Sequence, residues 1–388
     1  MRVLFTAIPG WGHVHPMVPL ARAFVARGDE VSWAVAAPVC ERLRRDGFDA
    51  EPAGIDEVDG HREFAARHPE AKTLAPIDLP EFMFSRIFGA VWAPKMLDDL
   101  LPLARDVRPS LMVHDAAELA GPIVAAVLGI PSVAHGFGPL LPPARVASAN
   151  PVVAPLWARH GLDVPPYAGT YQHGYLDIYP PSLQVGNADH VPVRLPLRPV
   201  TYAARGDEPL PPLVTAPSAD PLVYVTFGTV FNRNVDVIRT VVEGVRALPV
   251  RVVVTLGPRG EPHELGPQPN NVHVTRYIAQ TELLAHCAAV VSHAGSGTFL
   301  ASLTLGLPQL CVPQAADQFL NAAACTRAGV GLTLLPGTVT AEAVKGAVSH
   351  LLDDAAWREA AVRVSGDIAA MPSPDDVAAS LADRFARL

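Results

Sequence analysis

Residues 2–36 read RVLFTAIPGWGHVHPMVPLARAFVARGDEVSWAVA, and they decide the fold. The apolar run 3–7 stops at Ile8-Pro9-Gly10-Trp11-Gly12, as a buried parallel strand stops at a glycine-rich turn. A helix is expected next. From Pro16, which a first helical turn tolerates, Met17, Val18, Leu20, Ala21, Phe24 and Val25 recur at helical spacing until Gly28, a good C-terminal stop. Residues 31–36 then read as a second strand, completing a βαβ unit with a right-handed crossover. Working outward, the short apolar runs at 111–113 and 130–134 repeat the theme, so the first half is a parallel α/β domain.

Between 190 and 221 the chain carries Pro192, Pro196, Pro199, Pro209, Pro211, Pro212, Pro217 and Pro221, which disfavour both helix and interior strand. This is the expected linker. After it the strand–turn–helix pattern restarts at 222–226 and continues with strands near 250–256, 272–275, 288–292 and 309–312. The expected division is therefore an N-terminal domain over 1–200 and a C-terminal domain over 221–388. The last helix can pack back on the first domain. Two doubly wound sheets leave a cleft, and ligands of such sheets sit beyond the carboxyl ends of the strands.

With 388 residues, 49% of them hydrophobic, the chain has material for two cores rather than one. A net charge of -8 argues against wrapping nucleic acid or lying on anionic lipid, either of which calls for a basic face. Small molecules are the expected partners. Cys40, Cys287, Cys311 and Cys325 show no CxxC spacing and sit in apolar runs, as buried thiols in a reducing cytoplasm would. Pro9-Gly10 comes too early for a signal-peptide core, and no apolar run approaches the ~20 residues a membrane span needs. A cytoplasmic location is expected.

The strongest local chemistry lies in residues 288–298, AAVVSHAGSGT, followed by a helical run. A buried strand turning through two glycines directly into a helix aims unpaired N–H groups and the positive end of the helix dipole at one point. That point suits an anion. Ser296 and Thr298 add hydroxyls, and His293 can donate to a phosphate oxygen. Leu300 stands where a dinucleotide fingerprint would carry its third glycine, and no GxxxxGK[ST] loop is present. At the end of the first strand, His13 is a candidate general base, its neutral imidazole suited to proton transfer near neutral pH. Asp115, emerging from the strand at 111–113, can orient it. The bland alternatives are a helix-capping histidine and a helix-capping aspartate; for His15 and His114 the bland reading is preferred.

The stretch from Arg276-Tyr277-Ile278-Ala279-Gln280, through His293 to Thr298, to Pro313-Gln314-Ala315-Ala316-Asp317-Gln318 resembles the donor-site signature of the GT-B natural-product glycosyltransferases. Gly12-His13-Val14-His15-Pro16 resembles that family's amino-terminal landmark, and the likeness is closest to bacterial enzymes that attach deoxysugars to antibiotic aglycones. The resemblance implies a GT-B fold, two Rossmann-like domains facing across a cleft, with His13 as base and Asp115 as its partner. It implies Tyr277, Ile278 and Gln280 on the nucleotide base, with Gly228, Thr229, His293, Gly295, Ser296, Gly297 and Thr298 around the diphosphate and Gly12 also in the donor site. Asp317 and Gln318 would meet the sugar hydroxyls. No cofactor and no metal are implied, since the nucleoside diphosphate sugar is a co-substrate. Ala301 stands where many plant members carry a ribose-binding glutamate, which points to a thymidine diphosphate sugar whose deoxyribose has no 2'-hydroxyl to satisfy.

The expected activity is inverting transfer of a deoxysugar to a hydrophobic aglycone. Phe82, Phe84, Phe88, Trp92, His135 and Phe137 are the candidate acceptor contacts, with ordinary core packing as the alternative. An epimerase or hydrolase on the same architecture, which would turn over donor without an acceptor, is the second enzyme reading. A non-catalytic sugar-nucleotide-binding partner would bind without turnover. A nicotinamide-dependent dehydrogenase lacks its glycine fingerprint. The sequence carries no signal for oligomeric state.

Overall fold

Parallel strands dominate both halves of the chain in the computed structural model, which describes residues 1–202, 209–228, 235–257 and 260–385. The first sheet has seven strands: β1 (Arg2–Thr6), β2 (Glu30–Val35), β3 (Asp49–Pro52), β4 (Leu111–Asp115), β5 (Ser132–His135), β6 (Tyr175–Asp177) and β7 (Arg194–Pro196). They lie in the order β3-β2-β1-β4-β5-β6-β7, with every pairing parallel. The second sheet contains β8 (Leu222–Thr226), β9 (Arg251–Thr255), β10 (Val272–Thr275), β11 (Ala289–Ser292), β12 (Gln309–Cys311) and β13 (Gly331–Thr333). Its order is β10-β9-β8-β11-β12-β13, again parallel throughout.

The two orders share one feature that places the chemistry. In each sheet the chain winds outward one way from its first strand, then returns to that strand's other side and winds the opposite way. The reversal falls between β1 and β4 in one sheet and between β8 and β11 in the other. At such a switch point the flanking loops part and open a crevice beyond the strands' carboxyl ends.

Burial on both faces explains the near-continuous apolar strands. Val3, Leu4 and Phe5 are fully buried, and Phe5 stacks on Trp33 of β2 at 4.9 Å between ring centroids. Each such large side chain contributes about 1.5–3 kcal/mol on leaving water. The central strands of the second sheet do likewise through Val223, Val225, Val252, Val254 and Val291. All four cysteines are unpaired and buried. No helix among the described residues is long and apolar enough to cross a membrane.

The chain divides into two units by its contacts. One comprises Met1–Tyr179, Gly186–Val200 and Met371–Leu388, and the other Pro180–Val185 and Thr201–Ala370. Besides the crossings at the linker and before the last helix, the chain therefore visits the second unit at Pro180–Val185. Within the first unit the closing helix Pro374–Phe385 lies against the helix Val18–Ala26, and the Arg198 N–H donates to the Pro372 carbonyl at 2.8 Å. The proline-rich stretch is also not wholly linker, because β7 lies within it. An edge strand tolerates Pro196, since one side of it has no ladder to complete.

Helical backbone begins earlier than Pro16. The Gly10 carbonyl accepts from the N–H groups of His13 (2.9 Å) and Val14 (3.2 Å), so a helical turn, Trp11–Val14, follows β1 almost at once. The 3-10 segment His15–Met17 and the helix Val18–Ala26 continue it. His13 is thereby held on a wound backbone instead of a loose loop.

Candidate active site

In the first unit, His13 follows β1 and Asp115 ends β4, on the two sides of the switch point. Their side chains meet. His13 Nδ1 stands 3.1 Å from Asp115 Oδ1, in hydrogen-bond geometry, and 3.0 Å from Oδ2. The carboxylate is 1% exposed and the imidazole 19%, so the pair has a buried anchor and an accessible end. With Nδ1 facing the carboxylate, Nε2 on the far side of the ring is the nitrogen that can exchange a proton. Phe137 flanks the ring at 4.2 Å between centroids, and Phe88 stands edge-on at 6.3 Å.

Phe88 and Trp92 come from an unusual element, a π-helical stretch over Phe84–Trp92, a form that recurs at functional sites. Both line a pocket with Ile8, Ile55, Met96 and Glu118. Glu118 is buried, and its two oxygens accept from the N–H groups of Ala120 (2.7 Å) and Gly121 (2.8 Å). Burial pushes its pKa up to about 7, and the nearby Asp115 charge adds to the rise.

The remaining acceptor candidates separate. Phe84 is buried in the apolar core and presents no surface. His135 is 1% exposed beside Asp115 in the sheet register, with its Nδ1 donating to the Gly136 carbonyl at 2.7 Å. Burial lowers its pKa to about 4, so it is a neutral core histidine. Phe82 packs against Phe64 and His68, with the Arg86 guanidinium 4.0 Å over its ring. Trp92 is buried in the same core at 6% exposure but lines the pocket, so it and Phe137 remain, joined by Phe88.

In the second unit, Gly228 follows β8 and His293 follows β11, again on the two sides of a switch point. The His293 imidazole is packed between two glycines. A Cβ on Gly228 would lie 2.8 Å from its Cε1, and one on Gly295 would lie 2.5 Å from its Nε2. Burial lowers the His293 pKa to about 4, partly offset by the Thr226 carbonyl, so the ring is neutral near pH 7 and can only hydrogen-bond. Gly295 is the N-cap of the helix Ser296–Thr304, with extended backbone and no side-chain cap. The N–H groups of Ser296, Gly297 and Thr298 therefore lack intrahelical acceptors, and Gly297 is exposed while Gly295 and Thr298 are half-buried.

Gln280, at the start of the helix Gln280–Leu284, donates from Nε2 to Thr298 Oγ1 at 3.0 Å and so borders this turn. Tyr277 is 50% exposed. Ile278 is different. Its side chain is buried with Leu283, Leu284, Val290 and Ala301, so what it can offer a base is its backbone. Ala301 lies in the same apolar cluster and supplies no polar group. Thr229 lies outside the described residues.

Asp317 and Gln318 do more for the protein than the resemblance implies. The Ser296 hydroxyl donates to Asp317 Oδ2. Gln318 is 1% exposed, and its Oε1 accepts from the N–H groups of Gln314 (2.7 Å) and Ala315 (2.9 Å). Whatever either residue gives a sugar comes from its remaining polar atoms. Asn321, overlooked in the sequence, joins them: its Nδ2 lies 3.3 Å from Asp317 Oδ2. Its position four residues after Asp317 puts the two on one helical face, which was the available signal.

Known proteins resemble this chain over most of its length. Residues 32–203 match the model for the erythromycin biosynthesis protein CIII-like N-terminal domain, and 239–383 match that for its C-terminal domain. The L-demethylnoviosyl transferase of Streptomyces niveus is 33% identical, with the alignment covering 98% of each chain. Among solved structures, the glycosyltransferase SnogD from Streptomyces nogalater is 30% identical and superposes with a TM-score of 0.78, covering 99% of both chains. The spinosyn rhamnosyltransferase SpnG, solved with thymidine diphosphate and separately with spinosyn aglycone, is 26% identical with a TM-score of 0.81. That match covers 98% of this chain and 100% of SpnG.

Proposed function

This chain belongs to the erythromycin biosynthesis protein CIII-like family of GT-B natural-product glycosyltransferases, and from that premise we propose an inverting transfer from a thymidine diphosphate deoxysugar to a hydrophobic aglycone hydroxyl. The observation that carries the reading is the His13–Asp115 pair, a part-exposed imidazole on a buried carboxylate. His13 Nε2 takes the proton of the acceptor hydroxyl as its oxygen attacks the anomeric carbon. The bond from that carbon to the diphosphate breaks on the opposite face, and the electron pair leaves with the phosphate oxygen. Asp115 stabilises the imidazolium formed.

The departing diphosphate gains charge as it leaves. The helix N-terminus at Gly295–Thr298 and the neutral His293 donate hydrogen bonds where that charge develops, and such preorganised donors act on the barrier itself. Tyr277 stacks on the base, and Gln280 borders it. Phe88, Trp92 and Phe137 receive the aglycone. Thymidine as the nucleoside follows from the apolar surroundings of Ala301 and from the thymidine diphosphate found in SpnG.

Two measurements test this. Titrating the enzyme with thymidine and uridine diphosphates should show tighter binding of the thymidine form, and a preference for uridine would remove the deoxyribose reading. Incubation with a panel of thymidine diphosphate sugars and aglycones should give glycosylated aglycone by mass spectrometry, with inverted anomeric configuration by proton NMR of the product. Donor breakdown that proceeds equally without any aglycone would instead mark a hydrolase.

A further inference from the structure

Between His293 and the helix Ser296–Thr304, the chain passes through a backbone conformation that its own residue disfavours. Ala294 has φ 63°, in the left-handed region, and it is fully buried. Its N–H donates to Ser292 Oγ at 3.0 Å, and its carbonyl accepts from Asn321 Nδ2 at 2.8 Å. The same amide nitrogen reaches Ser296 Oγ at 2.9 Å and Asp317 Oδ2 at 3.3 Å, while the Ser296 hydroxyl donates to that aspartate oxygen. Asn321 is itself fully buried in the helix Gln318–Arg327. One amide thus ties down the residue before the Gly295 N-cap and the residue after it.

We propose that Asn321 is a positioning residue for the donor diphosphate: it holds Ala294 left-handed and Ser296 in place, so that the N–H groups of 296–298 converge before the ligand arrives. This rests on reading that turn as the diphosphate site. Backbone donors that must first be gathered bind an anion less tightly than donors already aimed. Asn321 touches no substrate in this role. It acts through the conformation of Ala294, and that gives it a signature which core packing alone would not produce.

The test compares the affinity of thymidine diphosphate with that of thymidine, so that only the diphosphate's contribution is read. In Asn321→Ala the diphosphate affinity should fall by about tenfold, equivalent to about 1.4 kcal/mol, with thymidine affinity changed by less than about twofold. Adding Ala294→Gly should restore at least about a third of the lost affinity ratio, because glycine adopts the left-handed conformation without being held there. Asn321→Ser, which retains one donor and less buried polar surface, replaces the alanine variant if that one does not fold. An unchanged ratio of diphosphate to thymidine affinity, or equal loss for both ligands, overturns the positioning role. So does failure of Ala294→Gly to rescue. Wild-type enzyme that binds thymidine diphosphate no better than thymidine removes the donor reading and this inference together, an outcome distinct from the others.

Discussion

His13 and Asp115 set a part-exposed ring against a buried charge. An isolated carboxylate at 1% exposure would be costly, and the imidazole hydrogen bond offsets part of that cost while fixing the ring's orientation. Removing the imidazole should therefore harm chemistry more than binding. In His13→Ala the turnover number is expected to fall by about 10²–10⁴. Donor affinity, which the proposed function assigns mainly to residues of the other unit, should change little. Steady-state rates paired with calorimetric titration of thymidine diphosphate would check both halves, and near-normal turnover would refute the assignment. Both residues were legible in the sequence because each ends a short apolar run, and strand ends in a parallel sheet face one way. Phe84 and His135 were not separable from Phe88 and Phe137 on the same grounds. Residue type says aromatic, and only packing says which ring is buried.

At the scale of elements, the proposed function gives the anion work to a helix N-terminus in one unit and the positioning of the base to a helical turn in the other. Their boundaries depend on glycines for different reasons. Gly295 is needed because a side chain would strike His293, whereas Gly28 has φ 85° with nothing near its missing Cβ. Gly28 ends the helix Val18–Ala26, with its N–H donating to the Val25 carbonyl at 2.9 Å and that of Asp29 to Phe24 at 3.1 Å. Gly28→Ala should therefore cost backbone strain alone, about 1–2 kcal/mol, visible as a lower thermal midpoint with turnover intact. A loss of turnover at a temperature where the variant is fully folded would contradict this. Long helices and central strands were readable from periodicity, while β3, β6, β7 and β13 were not. The first of these buries only Ala50, and a strand of three or four residues is too short to show a period.

The molecule as a whole carries an acid sensitivity that no single element reveals. His15, His114, His135 and His293 all have their pKa lowered from 6.5 to about 4, with burial the largest cause in each. In the unfolded chain these rings protonate near 6.5, and in the native state they resist until about 4. Their contribution is thus present above pH 6.5 and is lost as pH falls towards 4. Glu118 works the other way: its pKa is raised from 4.5 to about 7, so its share of stability is lost as pH rises through that window. Four groups against one leave a net loss on acidification. Thermal unfolding followed from pH 7.5 to 4.5 should show a falling midpoint, steepest below 6.5, and a flat or rising midpoint would count against these burials.

The sequence by itself determined the architecture, because hydrophobic runs of strand and helix length, punctuated by Pro9-Gly10, Gly28 and the turn at 293–298, are local facts that any βαβ chain must display. It also carried enough motif to indicate the family. Only the tertiary structure decided how the polar atoms are shared. That Gln318 and Asp317 spend oxygens on the protein, and that Asn321 grips Ala294, depends on groups 3 to 27 positions apart meeting within hydrogen-bonding distance. The same holds for His13 and Asp115, 102 residues apart along the chain and joined only because β1 and β4 are neighbours at a switch point. Periodicity records which residues leave water, whereas hydrogen bonding depends on direction and distance between atoms, and those exist only after the chain has folded.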